Sequence, residues 1–396
     1  MQPSLTGVRI LDLSRMLSGD FGSILLGDSG AEIIKIEDPD GGDPLRQMPP
    51  HFLKGESAYF LSINRNKKSI TLDLTKEKGR AIFYELVKKS DVVFDNFRPG
   101  ILEKLGADYE TIKKHNPKII SCSISSYGAT GPYKDLPGFD LVIQALSGAM
   151  SFTGEPGREP VRMGIPMGDL AGSLYAVYAI STALYAREKT GQGQRIDLSL
   201  LDCLVSLLTY VAQYYFIGNE ISQPIGSGHM SVVPYRVYQT KDGHLTVAVF
   251  VEKFWGKLCE SIGLAECADD PKYCSTAMRL KNRDEVNELL GKKFRTETTD
   301  HWIKKLSADG IPAAPVNTVD QVFSNPQVLH RKMVVEINHP KCGKYKMLGH
   351  PIKTTGCPDG PNEPPPLLGE HTEEILDKLL GYRLTEIEQL KKDRVI

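Results

Sequence analysis

Neither sign of charge is in excess along the 396 residues: 48 lysines and arginines face 49 aspartates and glutamates, a formal net charge of −1. Without a long basic run, a general role on nucleic acid or on a membrane surface has no electrostatic support, and an anionic ligand must be met by local clusters. A C-x-x-C pair is also missing. The seven cysteines (Cys122, Cys203, Cys259, Cys267, Cys274, Cys342 and Cys357) are scattered and odd in number. That excludes a disulfide framework or a zinc knuckle and fits reduced thiols in the cytoplasm. No apolar run reaches the ~18 residues needed to cross a bilayer, and no basic-plus-apolar leader precedes the strand pattern that begins at Val8. The glycines do not form G-x-G-x-x-G, so a dinucleotide site is unsupported. No internal repeat is present. These absences predict a soluble, cytoplasmic globular chain of about two or three domains, with no zinc site and with no nucleic acid and no membrane as partner.

Against that background the first half alternates short β-type runs, Val8–Leu13, Glu32–Glu37, Val92–Phe94 and Ile119–Ile124, with helical segments such as Gly79–Ser90. The alternation predicts an α/β fold with a parallel sheet, in which ligands sit at the carboxyl ends of the strands. Two such ends carry glycine and polar residues, Ser14 to Gly22 after the first strand and Asp95 to Gly100 after the third. A turn at Thr190–Gln194 leads into a strand at Arg195–Ser199 and then an apolar run, Leu200–Phe216, that reads as an internal helix. After Gly218 the texture changes. Asp242-Gly243 between β-type runs signals a hairpin, and helices are expected over Lys253–Ile262, Asp284–Phe294 and Asp300–Ala308. The chain then returns through a proline-rich strap, Pro358–Pro366, into a C-terminal helix that Thr372 can cap, with Glu370 and His371 as capping and packing residues. The expected boundaries are 1–217 for a large domain, 218–325 for a small α+β domain, and 326–396 for a segment that completes the large one.

The stretch Met163 to Ser173 sets one carboxylate, Asp169, between glycines 164, 168 and 172, where an apolar run to Tyr185 begins a helix. At a helix N-terminus, a partial positive charge favours the ionised carboxylate, the form that attacks a carbonyl. The local pattern alone also reads as an ordinary N-cap, since aspartate is a preferred capping residue.

Eight short motifs occur in order along the chain: Leu11 to Arg15, Gly30 to Glu37, Asn64 to Ser69, Asn96 to Gly100, Tyr127 to Pro132, Gly168-Asp169, Thr190 to Gln194 and Leu367 to Thr372. In this order they closely resemble the class III CoA-transferase (CaiB/BaiF) family over essentially the whole chain. The resemblance implies a large Rossmann-like domain with a parallel sheet formed by both chain ends, a smaller α+β domain, and an interlocked ring-like homodimer. It further implies that Asp169 attacks the thioester of an acyl-CoA donor, and that a carboxylic acid acceptor then takes the CoA by way of aspartyl anhydride and β-aspartyl-CoA thioester intermediates. Ser18, Leu72, Asn96, Phe97, Arg98 and Lys104 fall where the family contacts CoA, and Gly138 and Phe139 would join them if the backbone path is kept. Lys104 stands in place of a frequent arginine and keeps the charge without the bidentate fork. Two positions depart from the pattern: Asp38 and Pro137 replace cations that hold the nucleotide, which leaves Arg46, Arg65, Lys67 or Arg98 as substitutes.

Two other readings accompany this one. A related α-methylacyl-CoA racemase needs an acid/base histidine where this chain has Phe139, which cannot exchange a proton. A non-catalytic partner subunit of a heteromer would lack the aspartate that is present here. For the acceptor, Gly226, Gly228, His229 and Ser231 lie where oxalate-using relatives carry a run of glycines, and only part of that run remains. The form of this segment looks more like members that use succinyl-CoA and dicarboxylic acids, with Arg236 nearby to meet a second carboxylate.

Overall fold

The computed structural model describes residues 2–355 and 362–396, so Cys357 and the first part of the strap, 358–361, lie outside the described residues. The chain divides into two compact units. One comprises the residues up to Ala149, Met163–Ala212 and Pro326–Ile396; the other comprises Met150–Arg162 and Gln213–Asn325. Residues 150–162, which the sequence reading kept in the large domain, therefore group with the second unit. The bond from Gly226 N–H to Gly154 O (2.8 Å) ties them there.

The first unit is built on six strands, β1 (Arg9–Asp12), β2 (Glu32–Glu37), β3 (Lys67–Thr71), β4 (Val92–Asp95), β5 (Ile120–Ser125) and β6 (Arg195–Ser199). They pair in the order β3-β2-β1-β4-β5-β6, all parallel. This is the strand order of a doubly wound Rossmann-type sheet. Adjacent residues on a strand serve opposite covers, because side chains alternate across a sheet. Leu11, Ile34 and Val93 face a core that contains Phe83 and Leu86 of α2 (Glu77–Lys88). Ile10, Ile33 and Val92 face the other core, with Leu26 of α1 (Met16–Asp28) and residues further along the chain. Strand β3 escaped the sequence reading because two lysines open it and hide the alternation.

All six strands come from residues 9–199, which corrects the expectation that both chain ends supply the sheet. The C-terminal region contributes cover instead: Ile375, Leu376, Ile387, Leu390 and Val395 complete the first core. Thr372 does not cap a helix. Its Oγ1 accepts from Thr71 N–H (3.0 Å), while Gly369 N–H donates to Ser69 Oγ (2.9 Å), so the Leu367–Thr372 motif fastens this segment to β3.

Helix α3 (Asp140–Leu146) precedes the 24-residue α4 (Met167–Thr190), which Gly191 ends in a left-handed conformation, φ 70°. The expected single helix over Leu200–Phe216 is two, α5 (Leu200–Ser206) and α6 (Tyr210–Gly218), broken where Thr209 takes φ 46°. Only its first half is internal: Leu200, Cys203 and Leu204 of α5 are buried, whereas no residue of α6 is. Large apolar side chains on α4 and α5, Leu174, Tyr178, Tyr185 and Val205, also stand exposed. Among the described residues no single helix is long and apolar enough to cross a membrane.

The second unit has a three-stranded antiparallel sheet, β7 (Tyr235–Gln239), β8 (His244–Ala248) and β9 (Ala313–Pro315), with β8 in the middle. The Asp242-Gly243 turn joins β7 to β8, as the dipeptide predicts. Helices α7 (Lys253–Ser261), α8 (Arg283–Phe294) and α9 (Thr299–Ala308) cover it through Trp255, Leu258, Leu290, Phe294 and Trp302.

Beneath the carboxyl end of β1 lies a buried charge cluster. Lys35 Nζ reaches Asp20 Oδ1 (2.6 Å), Asp43 Oδ2 (2.9 Å) and Ser14 O (2.8 Å). Lys67 Nζ reaches Asp20 Oδ1 (2.9 Å) and Asp12 Oδ2 (3.3 Å). All five charged side chains are removed from solvent. Burial works against the Lys35 ammonium, but Asp20, Asp43 and Asp12 outweigh it and hold the group charged. Removing one partner from such a cluster strands the others. Lys35→Met is therefore expected to cost about 3–5 kcal/mol in urea or guanidinium unfolding, and a loss of well under 1 kcal/mol would contradict the arrangement.

Candidate active site

In this strand order the connections leave β1 and β4 in opposite directions, so a crevice opens between the loops that follow them. The β1–α1 loop is fixed from two sides. Lys35 holds Ser14 O from below, and the Asn96 side chain clamps Arg15, accepting from its N–H (2.9 Å) and donating to its carbonyl (2.6 Å). Met16 then takes φ 62°, a left-handed conformation uncommon for a side chain of its size. Asn96 Nδ2 also donates to Ser18 Oγ (3.0 Å). On the β4 side, Asp95 Oδ1 accepts from Phe97 N–H (3.0 Å), and the Arg15 guanidinium lies 5.2 Å from the centre of the Phe97 ring.

A cavity of about 430 Å³ occupies this crevice, and its walls include Arg15, Ser18, Tyr59, Asn96, Phe97, Arg98, Lys134, Gly138, Phe139 and Asp169. A second cavity, about 470 Å³, adjoins it and shares Phe97, Arg98 and Lys134 while adding Arg195. Thus six of the CoA-contact candidates, Ser18, Asn96, Phe97, Arg98, Gly138 and Phe139, come together with Asp169. Gly138 has a steric reason to be glycine, since a Cβ there would meet the Ser126 side chain at 2.7 Å. Leu72 and Lys104 do not join them. The Leu72 side chain is in the sheet core, and Lys104 is exposed on the short helix Ile101–Leu105.

The substitutes proposed for the missing nucleotide cations are sorted by their partners. Arg46 is bidentate to Glu37 (2.7 Å at both nitrogens) and stacked 3.8 Å over Phe60. Arg65 is bound to Asp28, and Lys67 belongs to the buried cluster. Arg98 alone of the four lines the cavity. Asp38 is exposed and accepts from Asp40 N–H. Lys134, three residues before Pro137, and Tyr59 line the cavity without having been singled out in the sequence. No motif marks either, because the chain reaches the crevice there through a loop and a short helix.

Asp169 is the third residue of α4, not its cap; Pro166 occupies that position and offers no side-chain acceptor. The capping carboxylate is Asp140, whose Oδ1 accepts from Gly168 N–H (2.8 Å) and Asp169 N–H (3.3 Å). This also corrects the expected charge state. Burial, with Asp140 adding to it, pushes the Asp169 carboxyl up to about 7. The helix terminus does not hold it low. Half-buried, the carboxylate makes no side-chain hydrogen bond among the described residues, and it faces the cavity.

The four loop candidates lie in the second unit. His229 Nδ1 accepts from Ser231 N–H (3.1 Å), Ser231 Oγ pairs with Tyr214 OH (2.6 Å), and Arg283 donates to the carbonyls of His229 (2.9 Å) and Met230 (2.6 Å). Gly226 is left-handed, φ 64°, and a Cβ on it would meet the Glu155 carboxylate at 2.7 Å; Gly228 lies close to Ile225 O. Arg236, the cation expected beside them, lies 5.9 Å from the centre of the Tyr238 ring. Arg283, which braces the loop, was missed in the sequence because it reads as a solvated helix residue. Among the described residues no group of three or more His, Cys, Asp or Glu is placed to hold a metal ion.

The family model described as CoA-transferase family III matches residues 5–372. This chain belongs to that family. Among relatives of this family III chain, succinyl-CoA:glutarate CoA-transferase of Mus musculus is 43% identical over the whole chain and 91% of its own length. The Homo sapiens enzyme of the same name is 42% identical over 96% of the chain and 86% of its length. A crystal structure of a CaiB/BaiF family protein from Brucella suis superposes with a TM-score of 0.85 at 36% identity, covering 96% of this chain and all of that one. Membership agrees with the eight ordered motifs and with the six-stranded parallel sheet. It makes the chain a family III member in which Lys134 and Arg98, not a cation at 38 or 137, line the crevice.

Proposed function

We propose that this chain is a CoA-transferase that moves CoA from an acyl-CoA, succinyl-CoA by the names of its relatives, to a dicarboxylic acid such as glutarate. The observation that carries the reading is Asp169: a half-buried carboxylate, free of side-chain hydrogen bonds among the described residues, in a cavity whose cations Arg15, Arg98 and Lys134 suit an anionic thioester. An Asp169 oxygen attacks the thioester carbonyl carbon of the donor, the C–S bond breaks, and CoA thiolate leaves a mixed anhydride. The thiolate then attacks Asp169 Cγ and expels the donor acid as its carboxylate, giving a β-aspartyl-CoA thioester. The acceptor carboxylate attacks that carbonyl, releasing thiolate and forming a second anhydride. Thiolate attack on its acyl carbon releases the new acyl-CoA and restores Asp169. No proton or electron is left over, and since anhydride and thioester are similarly activated, no energy source, metal or redox cofactor is needed.

Asn96, Phe97 and Arg98, with Arg15 and Lys134, line the part of the crevice assigned to CoA. The exposed apolar residues of α4 and α5 in the first unit support a homodimer, for which the interlocked form of the family is the proposed architecture, in a cytoplasmic setting.

Asp169→Ala is expected to reduce transfer by about 10⁴-fold or more, and incubation of the unaltered protein with acyl-CoA should place a hydroxylamine-sensitive adduct on Asp169, read by peptide mass spectrometry. Because only the ionised carboxylate attacks, kcat/KM for the donor should fall about tenfold per pH unit below about 7. Succinyl-CoA with glutarate should lead a donor and acceptor panel read by mass, with no deuterium entering the α-carbon of a 2-methylacyl-CoA from heavy water. Transfer to no dicarboxylate would sink the substrate assignment. Light scattering should return twice the 43.8 kDa chain mass.

A further inference from the structure

Asp140 begins α3 directly after Phe139, yet its side chain serves a different helix. Oδ1 accepts from the backbone N–H groups of Gly168 and Asp169, and Oδ2 accepts from Gln144 Nε2 (2.6 Å). Gln144, fully buried, uses its Oε1 to accept from Met163 N–H (2.8 Å). One carboxylate and one amide therefore hold both the head of α4 and the chain that enters it. Three N–H donors on two oxygens is the pattern of an acceptor-only, ionised group. Gly168 permits the approach, since a Cβ on it would stand 3.0 Å from Asp140 Oδ1 and 3.3 Å from Ile143 Cγ2.

We propose that Asp140 is a positioning residue that fixes Asp169 through its backbone and whose negative charge makes the free Asp169 carboxylate the strained state of the reaction cycle. The inference rests on Asp169 being the nucleophile. Two carboxylates meet at one helix terminus only while Asp169 is free. Once it is acylated or joined to CoA, its charge is gone and the repulsion with it. The like charge thus favours the covalent states over the free enzyme and makes the attacking oxygen more basic, hence more nucleophilic. Release of Asp169 at the end of the cycle is opposed by the same amount, which suits an exchange that must run in both directions. The other groups around Asp169 leave this role to Asp140. Tyr59, from the short helix Ala58–Ile63, is a phenol whose own ionisation burial opposes, with Asp169, Asp20 and Asp140 adding to it. Asp20 of α1 is committed to Lys35 and Lys67. Phe139 is apolar, and Arg15, Arg98 and Lys134 stand on the walls of the same cavity, where a thioester's own anionic groups would engage them.

The test compares three proteins by the pH dependence of donor kcat/KM and by intact mass at a fixed ratio of succinyl-CoA to succinate. Asp140→Asn keeps the size and an acceptor but removes the charge. Its acid limb should move down by about one pH unit, and the ratio of covalent to free enzyme should fall about tenfold. Gln144→Leu loosens the support but keeps the charge, so it should slow turnover without moving the limb. If Asp140→Asn is too unstable to assay, Asp140→Ser supplies a neutral hydroxyl at the cap and must show the same two shifts. The proposal is overturned if neither the limb nor the adduct ratio changes, or if Gln144→Leu changes both equally. An adduct absent from Asp169 in the unaltered protein overturns instead the reading on which it rests.

Discussion

The interior salt-bridge cluster at the end of β1 is the constraint on which the crevice depends. Three carboxylates, Asp12, Asp20 and Asp43, share two ammonium groups, Lys35 and Lys67, in a buried space. The count leaves one negative charge too many. Asp20 absorbs it: burial, reinforced by Asp43 and Asp12 against the two lysines, pushes its carboxyl up to about 7. Five charged groups packed this way contribute little net stability compared with apolar replacements. What they contribute is position. Lys35 holds Ser14 O, Asp43 meets Met16 N–H (3.4 Å), and Asp12 binds both Ser14 and Ser23. The loop that presents Arg15 and the first turn of α1 with Ser18 are set by charges that do not line the cavity.

At Asp169 two electrostatic effects oppose each other and their sizes decide the result. A helix N-terminus stabilises a nearby carboxylate by about 0.3–1 kcal/mol, and by about 2 in the best partly buried cases. Raising a carboxyl from 3.8 to about 7 corresponds to roughly 4 kcal/mol against the ionised form. Burial wins, and the N–H groups at the terminus that could have served Asp169 donate to Asp140 instead. The carboxylate is left poised near neutrality, where an appreciable fraction is both ionised and basic. A nucleophile needs that combination more than it needs a low pKa.

Much of the sheet was legible because parallel strands covered on both faces are rich in apolar residues: Val8–Leu13 contains β1, Glu32–Glu37 coincides with β2, and Val92–Phe94 covers all but the last residue of β4. Strand β3 was not, since Lys67 and Lys68 belong to ion pairs instead of the apolar pattern. The hairpin at Asp242-Gly243 was legible from two residues, as its chemistry is local. The break at Thr209 was not, because nothing in Leu200–Phe216 forbids a continuous helix; what ends it is a single left-handed residue. For the site, Asp169 and Asn96 to Arg98 were found through ordered motifs, whereas Asp140, Lys134 and Arg283 act across gaps of sequence that no periodicity spans. The pairing of Arg46, Arg65 and Lys67 was likewise hidden. A cation in a sequence does not announce whether its partner is a ligand or a neighbouring carboxylate.

The way the C-terminal region covers the sheet bears on how the chain can be made. All six strands are available once residue 199 has left the ribosome, yet the core over β1, β2 and β3 lacks Ile375, Leu376, Ile387 and Leu390 until much later in synthesis. At about 5–20 residues per second, an apolar sheet face waits on the order of ten seconds or more for its cover. The second unit, whose sheet and helices come almost entirely from residues 213–325, can close on itself in the interval. The strand nearest that late cover begins with Lys67 and Lys68, and charged residues on an exposed strand discourage pairing with another chain. Of the two lysines that obscured β3 in the sequence, the half-exposed Lys68 thus guards the nascent sheet until its cover arrives.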